Sequence, residues 1–283
     1  MSSVFFRPLI IVGAPRSGTN MLRDVLTSLP LTATWPCDEI NFIWRFGNAR
    51  YPSDELPASL ARPSTKAYIR RQFERLARSS GARWIVEKTC ANCLRIEFVD
   101  RVVPDAVYIY IKRDPIDAVA SAMSRWSAPF EPRYVARKAR YVPLRDLPYY
   151  AWKHAANRIR KAVTRDGHLP SWGPRFDGID ALVGSRPLEE VCAIQWQRCV
   201  QRAEHSLNTI TPSRVFRVEY ETFVANPRES LRLIAEFLGV PFDEDTLTRA
   251  VADVRVDSVG KGRAAMGLPA STRVLSILDE RST

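Results

Sequence analysis

The chain has 283 residues, 46% of them hydrophobic and 26% charged, enough to bury a large core and too apolar for wholesale disorder. Its net charge of +11 at pH 7 implies an acidic partner, be it nucleic acid, an anionic membrane, a sulfated glycan or a small anionic ligand. Five sparse cysteines argue against a disulfide scaffold, and no run approaches about 18 consecutive apolar residues, so the sequence predicts a soluble, cytoplasmic protein without membrane anchor or signal peptide.

Taken in order, Leu9-Ile10-Ile11-Val12 is a short, apolar, β-branched run of the kind carried by a parallel strand covered on both faces. Gly13, Pro15, Ser17 and Gly18 then make a tight loop, after which Met21, Leu22, Val25 and Leu26 recur at helical spacing. Strand, loop and helix N-terminus in that order point unpaired N–H groups and the positive end of a helix dipole at one place, which suits phosphate or sulfate. Gly13 and Gly18 have the glycine spacing of the P-loop, G-x-x-x-x-G-K-[ST], but Thr19 stands in place of the lysine and Asn20 in place of the magnesium-binding hydroxyl. The loop is therefore a poor site for a magnesium nucleoside triphosphate. With Arg16 as its cation and no metal ligand, it fits transfer of a group less charged than phosphoryl, and sulfuryl is such a group.

Four prolines between Thr32 and Pro63 predict an irregular surface crossing that holds one short helical piece, Asp38 to Trp44, with Asp38 as its cap. Ser64 caps a clearer helix that carries Ile69, Phe73 and Leu76 on one face and ends at Gly81. A second strand, Arg83 to Val86, leads directly into Glu87-Lys88-Thr89-Cys90-Ala91-Asn92, so Lys88 falls at the carboxyl end of a strand, where open α/β sheets bind ligands. A third strand, Val107 to Ile111, enters Lys112-Arg113-Asp114-Pro115, with Asp114 a natural N-cap and Pro115 a natural first helical residue. Arg113 sits at that strand's exit and Ser121 about two turns into the helix; a salt bridge from Arg113 to Asp117 is the alternative use of the guanidinium.

From Ser127 to Pro187 the chain becomes irregular, aromatic and basic, with Tyr141, Tyr149 and Trp172 interleaved with residues such as Lys138 and Arg140. Such an insertion is either a recognition surface for sugars, acidic peptides or nucleic acid, or an ordinary amphipathic lid, and both stay open. His154, His168 and His205 read as surface or core histidines, and Cys90-x-x-Cys93, with no matching second half-site, as free thiols. A helix from Glu189 to Ile210, a strand from Arg214 to Val218, the run Glu219-Tyr220-Glu221-Thr222 and a helix started by Asn226-Pro227 and closed by Gly239 continue the alternation. The pattern predicts an α/β fold, a central parallel sheet flanked by helices in three layers, forming one domain over 1–283 with a substrate-facing insertion at about 127–187. Ser258-Val259-Gly260-Lys261-Gly262-Arg263 is a glycine-flexed basic loop near the end.

The hexapeptide Pro15-Arg16-Ser17-Gly18-Thr19-Asn20 resembles the 5′-phosphosulfate-binding loop of sulfotransferases that use 3′-phosphoadenosine 5′-phosphosulfate (PAPS). Lys88-Thr89-x-x-Asn92 resembles the Lys-Thr-Pro-x-Asn seen after the corresponding strand, with Cys90 replacing the proline, and the spacing of eight from Arg113 to Ser121 resembles the family's second signature. The resemblance extends from Leu9 to about Arg263 and implies a P-loop-like fold, PAPS as donor, PAP as product and no metal. It implies that Pro15, Arg16, Ser17, Gly18, Thr19 and Asn20 hold the 5′-phosphosulfate, that Arg113 and Ser121 bind the 3′-phosphate, that Tyr220 approaches the adenine, and that Lys261, Gly262 and Arg263 close over the cofactor. Similarity to tyrosylprotein and related carbohydrate sulfotransferases implies Glu39 as general base, with Asp38 its competitor, and Arg16 and Lys88 as cations for the bridging and sulfuryl oxygens. The acceptor implied is a hydroxyl or amine of a carbohydrate, a tyrosyl or phenolic group or a small metabolite, acidic or glycan in character; no nucleic acid is implied as partner, and a homodimer is left open. Two other classes compete: a P-loop small-molecule kinase, which magnesium-dependent ATP turnover would revive, and a basic nucleic-acid-binding protein, which must explain why Arg16, Lys88 and Arg113 are placed as in a small-ligand pocket.

Overall fold

The computed structural model describes residues 5–127, 138, 140–152 and 172–279. Five strands, β1 (Arg7–Val12), β2 (Thr32–Ala33), β3 (Trp84–Lys88), β4 (Val107–Lys112) and β5 (Val215–Glu219), form one sheet in the order β2-β3-β1-β4-β5, and every pairing is parallel. The helices are α1 (Thr19–Thr27), α2 (Asn41–Trp44), α3 (Pro63–Ser80), α4 (Ile96–Val102), α5 (Pro115–Trp126), α6 (Ile179–Leu182), α7 (Leu188–Leu207), α8 (Tyr220–Ala225), α9 (Pro227–Leu238), α10 (Glu244–Ala250), α11 (Gly262–Met266) and α12 (Leu268–Asp279).

The uniformly apolar sequence of β1 has a direct structural cause. Successive side chains of a strand point to opposite faces, and here both faces are covered. Leu9 and Ile11 enter a cluster with Leu22 and Leu26 of α1 and Leu231 and Ile234 of α9. Ile10 and Val12 enter the other, with Phe73 of α3, Phe98 of α4, Val119 of α5 and Val200 of α7. All four β1 side chains are at most 1% exposed, and burying each contributes about 1.5–3 kcal/mol. The result is the three-layer α/β architecture expected from the sequence.

Several local signals act as anticipated. Gly81 (φ 68°) and Gly239 (φ 62°) end α3 and α9 in the left-handed conformation, and the Asp114 side chain accepts from the Asp117 N–H at 3.0 Å with Pro115 first in α5. Asp38 does not cap α2, which begins at Asn41 after Ile40 without a side-chain cap, because the Asp38 carboxylate is drawn instead to Arg23 and Lys88. Likewise α3 starts at Pro63, one residue before the expected Ser64 cap. The sequence pattern did not anticipate the two-residue β2, α4 or the C-terminal α12, whose Val274 is fully buried and whose Ile277 carbonyl accepts from Gln197 of α7 at 3.2 Å. Much of the 127–187 insertion, including His154 and His168, lies outside the described residues. Among the described residues no helix is long and apolar enough to cross a membrane.

Candidate active site

The central β1 delivers its loop to the carboxyl edge of the sheet, the edge where ligands bind in open α/β folds. Two glycines are obligatory there. A Cβ at Gly13 would lie 2.7 Å from the Ile111 carbonyl, and one at Gly18, where φ is +86°, would lie 2.4 Å from the Tyr220 ring. The loop closes by a hydrogen bond from the Ser17 N–H to the Ala14 carbonyl at 3.2 Å, and Arg16, between them, holds a positive φ of 69°. Ser17 is fully buried, and its hydroxyl has no partner. A hydroxyl in that state costs about 1–3 kcal/mol unless something accepts or donates to it. Arg16 directs its Nε to Ser121 Oγ at 2.9 Å, joining the loop to α5.

At the β4 and β5 end, Arg113 is 7% exposed and its guanidinium is held on three sides. It donates to the Arg16 carbonyl at 2.9 Å and to the Ser258 carbonyl at 2.7 Å, and it stacks over the Tyr220 ring with its carbon 4.5 Å from the centroid. Its Nε is buried and unpartnered. The Tyr220 hydroxyl meets Ser258 Oγ at 2.8 Å. The Arg113 to Asp117 pairing left open by the sequence is long, 4.0 Å, because the Asp117 carboxylate accepts from the N–H groups of Gly260 and Gly262, both at 2.6 Å. Gly262 is buried where a Cβ would lie 2.6 Å from the Ile116 carbonyl, which fastens the late loop to the start of α5. Lys261 and Arg263 are exposed, and the residues just before them that line the site are Asp253, Arg255, Asp257 and Ser258.

At the β3 end, Lys88 is 4% exposed and lies 3.3 Å from both Asp38 Oδ1 and Glu39 Oε1. Glu39 Oε1 also accepts from the Cys90 N–H at 3.2 Å, and its Oε2 lies 3.4 Å from Lys138 Nζ. Burial pushes the Glu39 carboxyl up, but Lys88, Lys138 and the Cys90 N–H outweigh it and hold it down at about 2. Burial likewise disfavours the Lys88 ammonium, and the carboxylates beside it hold its pKa above the usual lysine range. Burial pushes the Cys90 thiol up to about 12, so it stays protonated, and it touches Thr19 Oγ1 at 3.7 Å. Behind this group, Thr89 Oγ1 donates to Glu87 at 2.5 Å and accepts from the Ile40 N–H at 3.3 Å, fixing the turn that carries Glu39. Burial pushes the Glu87 carboxyl up to about 7.

These groups share one cavity of about 790 Å3 that includes Pro15, Arg16, Gly18, Thr19 and Asn20 of the loop together with Glu39, Lys88, Arg113, Ser121 and Tyr220. That volume is typical of a small-molecule site. The residues singled out from the sequence thus converge, apart from the exposed Lys261 and Arg263, Gly262, which is tied to Asp117, and the buried Ser17, which sits beneath the loop. Lys138 and Trp172, which the sequence marks only by the basic and aromatic character of the insertion, also line the cavity. The cavity gathers cations, the β1 loop and the paired Glu39 and Lys88 at the carboxyl end of a parallel sheet. The same architecture occurs in the sulfotransferase domain from the Curacin biosynthetic pathway, 16% identical over 98% of each chain with a TM-score of 0.56. It also occurs in the sulfotransferase domain from the Synechococcus PCC 7002 olefin synthase, 15% identical over 99% of this chain and 96% of that one with a TM-score of 0.53. Mouse sulfotransferase SULT7A1, solved complexed with PAP, is 14% identical over 99% of this chain and 86% of its own, with a TM-score of 0.51. At such identities the likeness is one of fold. No curated protein matches the chain. The family model described as the Sulfotransferase family matches residues 8–170 and 180–244, most of the sequence and every element that carries the site up to Tyr220, so the chain belongs to the sulfotransferase family.

Proposed function

We propose that the protein transfers a sulfuryl group from PAPS to an acceptor hydroxyl, releasing PAP. The observation that carries this reading is the pair of buried, unpartnered groups at the loop and at β4, Ser17 Oγ and Arg113 Nε, beside an anion loop that lacks the lysine and hydroxyl of a magnesium nucleotide site. A phosphate beside Arg113 would supply the acceptor its Nε lacks, and the cations that line the cavity suit an anionic cofactor. PAPS, when bound, supplies an activated sulfuryl group and a leaving group that departs as PAP.

The loop residues Pro15 to Asn20 would hold the 5′-phosphosulfate with backbone N–H groups and the dipole of α1, Arg113 and Ser121 the 3′-phosphate, and Tyr220 the adenine side. In this reading Glu39 acts as general base, which its position beside Lys88 supports. It is ionised throughout the physiological range, and its contact with Lys88 and Lys138 makes it a weak base until the acceptor's oxygen becomes acidic by bonding to sulfur. Lys88 and Arg16 would neutralise charge gathering on the sulfuryl and bridging oxygens, and moving Lys88 towards those oxygens would loosen its hold on Glu39 and strengthen the base. Asp38 carries the counter-charge that keeps Lys88 and Arg23 in position, a role for which its two ion pairs suit it better than proton transfer.

Titration calorimetry with PAP and a single-turnover assay with labelled PAPS test the proposal. Binding of PAP without magnesium, and loss of label from PAPS to an acceptor, are the expected results; a parent protein that does not bind PAP refutes it.

A further inference from the structure

Glu87 and Lys88 are neighbours at the end of β3, and alternation along a strand sends their side chains to opposite faces. Lys88 meets Asp38 and Glu39 in the cavity. Glu87, 1% exposed, is bonded instead to the residues that follow the strand: its Oε1 accepts from the Thr89 hydroxyl at 2.5 Å and its Oε2 from Asn92 Nδ2 at 2.8 Å. From these contacts two chains of hydrogen bonds run back to the segment that carries Glu39. The short one passes through Thr89 Oγ1 to the Ile40 N–H at 3.3 Å. The long one passes from Asn92 Oδ1 to Arg95 Nε at 2.9 Å, and from the Arg95 guanidinium to Asn41 Oδ1 at 2.6 Å. A single carboxyl thus reaches both residues after Glu39, the first by its main chain and the second by its side chain.

Both chains are buried, with Thr89 and Asn92 inaccessible and Arg95 2% exposed. The far end is anchored as well. Arg95 lies 3.5 Å from Asp54 Oδ1, which also accepts from Asn41 Nδ2 at 3.3 Å and from Arg45 at 2.9 Å. The short turn from Cys90 to Leu94 closes by a bond from the Asn92 N–H to the Thr89 carbonyl at 2.9 Å, and its first N–H, that of Cys90, reaches Glu39 Oε1 at 3.2 Å. Glu39 is therefore set from two directions, its main chain by the contacts at 40 and 41 and its carboxylate by the Cys90 N–H, and Glu87 holds the side chains on which both depend. Buried polar groups in such a network shift together, because leaving any one of them unpartnered is costly. A general base acts only within hydrogen-bond reach of the proton it takes, so a displacement of an ångström is felt in the rate. Resting on the reading of Glu39 as general base above, we infer that Glu87 is a positioning residue, fixing Glu39 beside Lys88 through Thr89 on one side and Asn92 and Arg95 on the other, with no part in binding PAP.

The test follows release of labelled sulfate from PAPS to water by the full chain, a transfer in which the water oxygen bonds to sulfur, the bond from sulfur to the bridging oxygen breaks, and the water proton passes to Glu39. Thr89→Val, which keeps the shape of the side chain and drops its hydroxyl, slows release about tenfold, the rate equivalent of one buried hydrogen bond, and leaves the Kd for PAP close to the parent's. Thr89→Ser recovers most of that loss. In the chain without cofactor, amide exchange of Thr89→Val is faster over residues 39–44 and unchanged over the β1 loop. Glu87→Gln, which gives up the bond from Asn92, follows the same pattern; should it fail to fold, the two Thr89 variants carry the test. In a Glu39→Ala chain Thr89→Val costs nothing further, because the group it positions is gone, whereas a general loss of structure would slow both chains alike. Thr89→Val as fast as the parent, a PAP affinity that falls with the rate, or an equal loss in the Glu39→Ala chain overturns the positioning role and leaves the sulfuryl-transfer reading standing. A parent that passes label to none of water, a phenol, a sugar and an amine overturns the transfer reading itself, and the positioning role with it.

Discussion

At the β4 and β5 end of the cavity Arg113 keeps a buried Nε without a partner, as the Ser17 hydroxyl does beneath the β1 loop, while at the β3 end Lys88, Lys138, Asp38 and Glu39 lie in ion pairs with one another. An unsatisfied buried group is relieved the moment an anion arrives, whereas charges already paired must be parted before they can act. Affinity for the cofactor and speed of the reaction should therefore answer to different residues in a single cavity, and mutations can separate them.

The sharpest separation comes from Glu39→Ala, which should lower single-turnover rates by at least ~100-fold, the low end for a general base, and leave the Kd for PAP close to the parent's. His205→Ala should cost less than ~10-fold, as should alanine at His154 and His168, which lie outside the described residues; a histidine variant as inactive as Glu39→Ala would remove Glu39 from the role. Arg113→Ala should do the reverse, weakening PAP by roughly 2 to 3 kcal/mol in calorimetry, the scale of a lost charge-assisted contact. If it binds PAP like the parent, the two ends do not differ as described. Beneath the β3 end, Glu87 has a folded-state pKa raised to about 7, so folding favours its protonated form. That contribution is present below the ordinary carboxylate range and is lost as pH rises through about 7. Glu87→Gln should lower the melting temperature at acid pH, where it gives up the bond from Asn92, yet flatten its decline towards neutral pH by a few degrees; an unchanged slope would show that folding does not raise the Glu87 carboxyl above the ordinary carboxylate range. The smallest effect is expected from Lys138→Met. Glu39 faces Lys88, Lys138 and Asp38, and removing one cation should raise its pKa and move the acid limb of kcat/KM to higher pH by about one unit, with PAP affinity unaltered.

Much of the cavity is legible in the chain because it is local. Gly13 to Asn20 is one strand-to-helix turn, Arg113 lies just before the helix that carries Ser121, Lys88 ends a strand and Tyr220 follows one directly. Glu39 could be placed only by resemblance and by counting from the loop. Lys138 and Trp172 could be read only as members of a basic and aromatic insertion, since each is tied to the site by contacts between residues far apart in sequence. Asp38 shows the limit of local rules: cap chemistry favours it at the head of a helix, but two nearby cations offer its carboxylate more than an N–H does. The stub β2 has too few residues for any alternation to register.

The position of β1 in the sheet also says something about how the molecule comes into being. This strand is made first yet sits in the middle, and neither neighbour exists until β3, beginning at Trp84, and β4, beginning at Val107, have left the ribosome. At roughly 5–20 residues per second, an almost wholly apolar segment waits several seconds without a hydrogen-bonding partner. Tyr220, which packs over Gly18, emerges later still, so the nascent loop completes its surroundings only when β5 and α8 arrive. Chaperone dependence during synthesis, and little productive refolding of fragments that stop short of Lys112, are the natural outcome of placing the earliest strand at the centre.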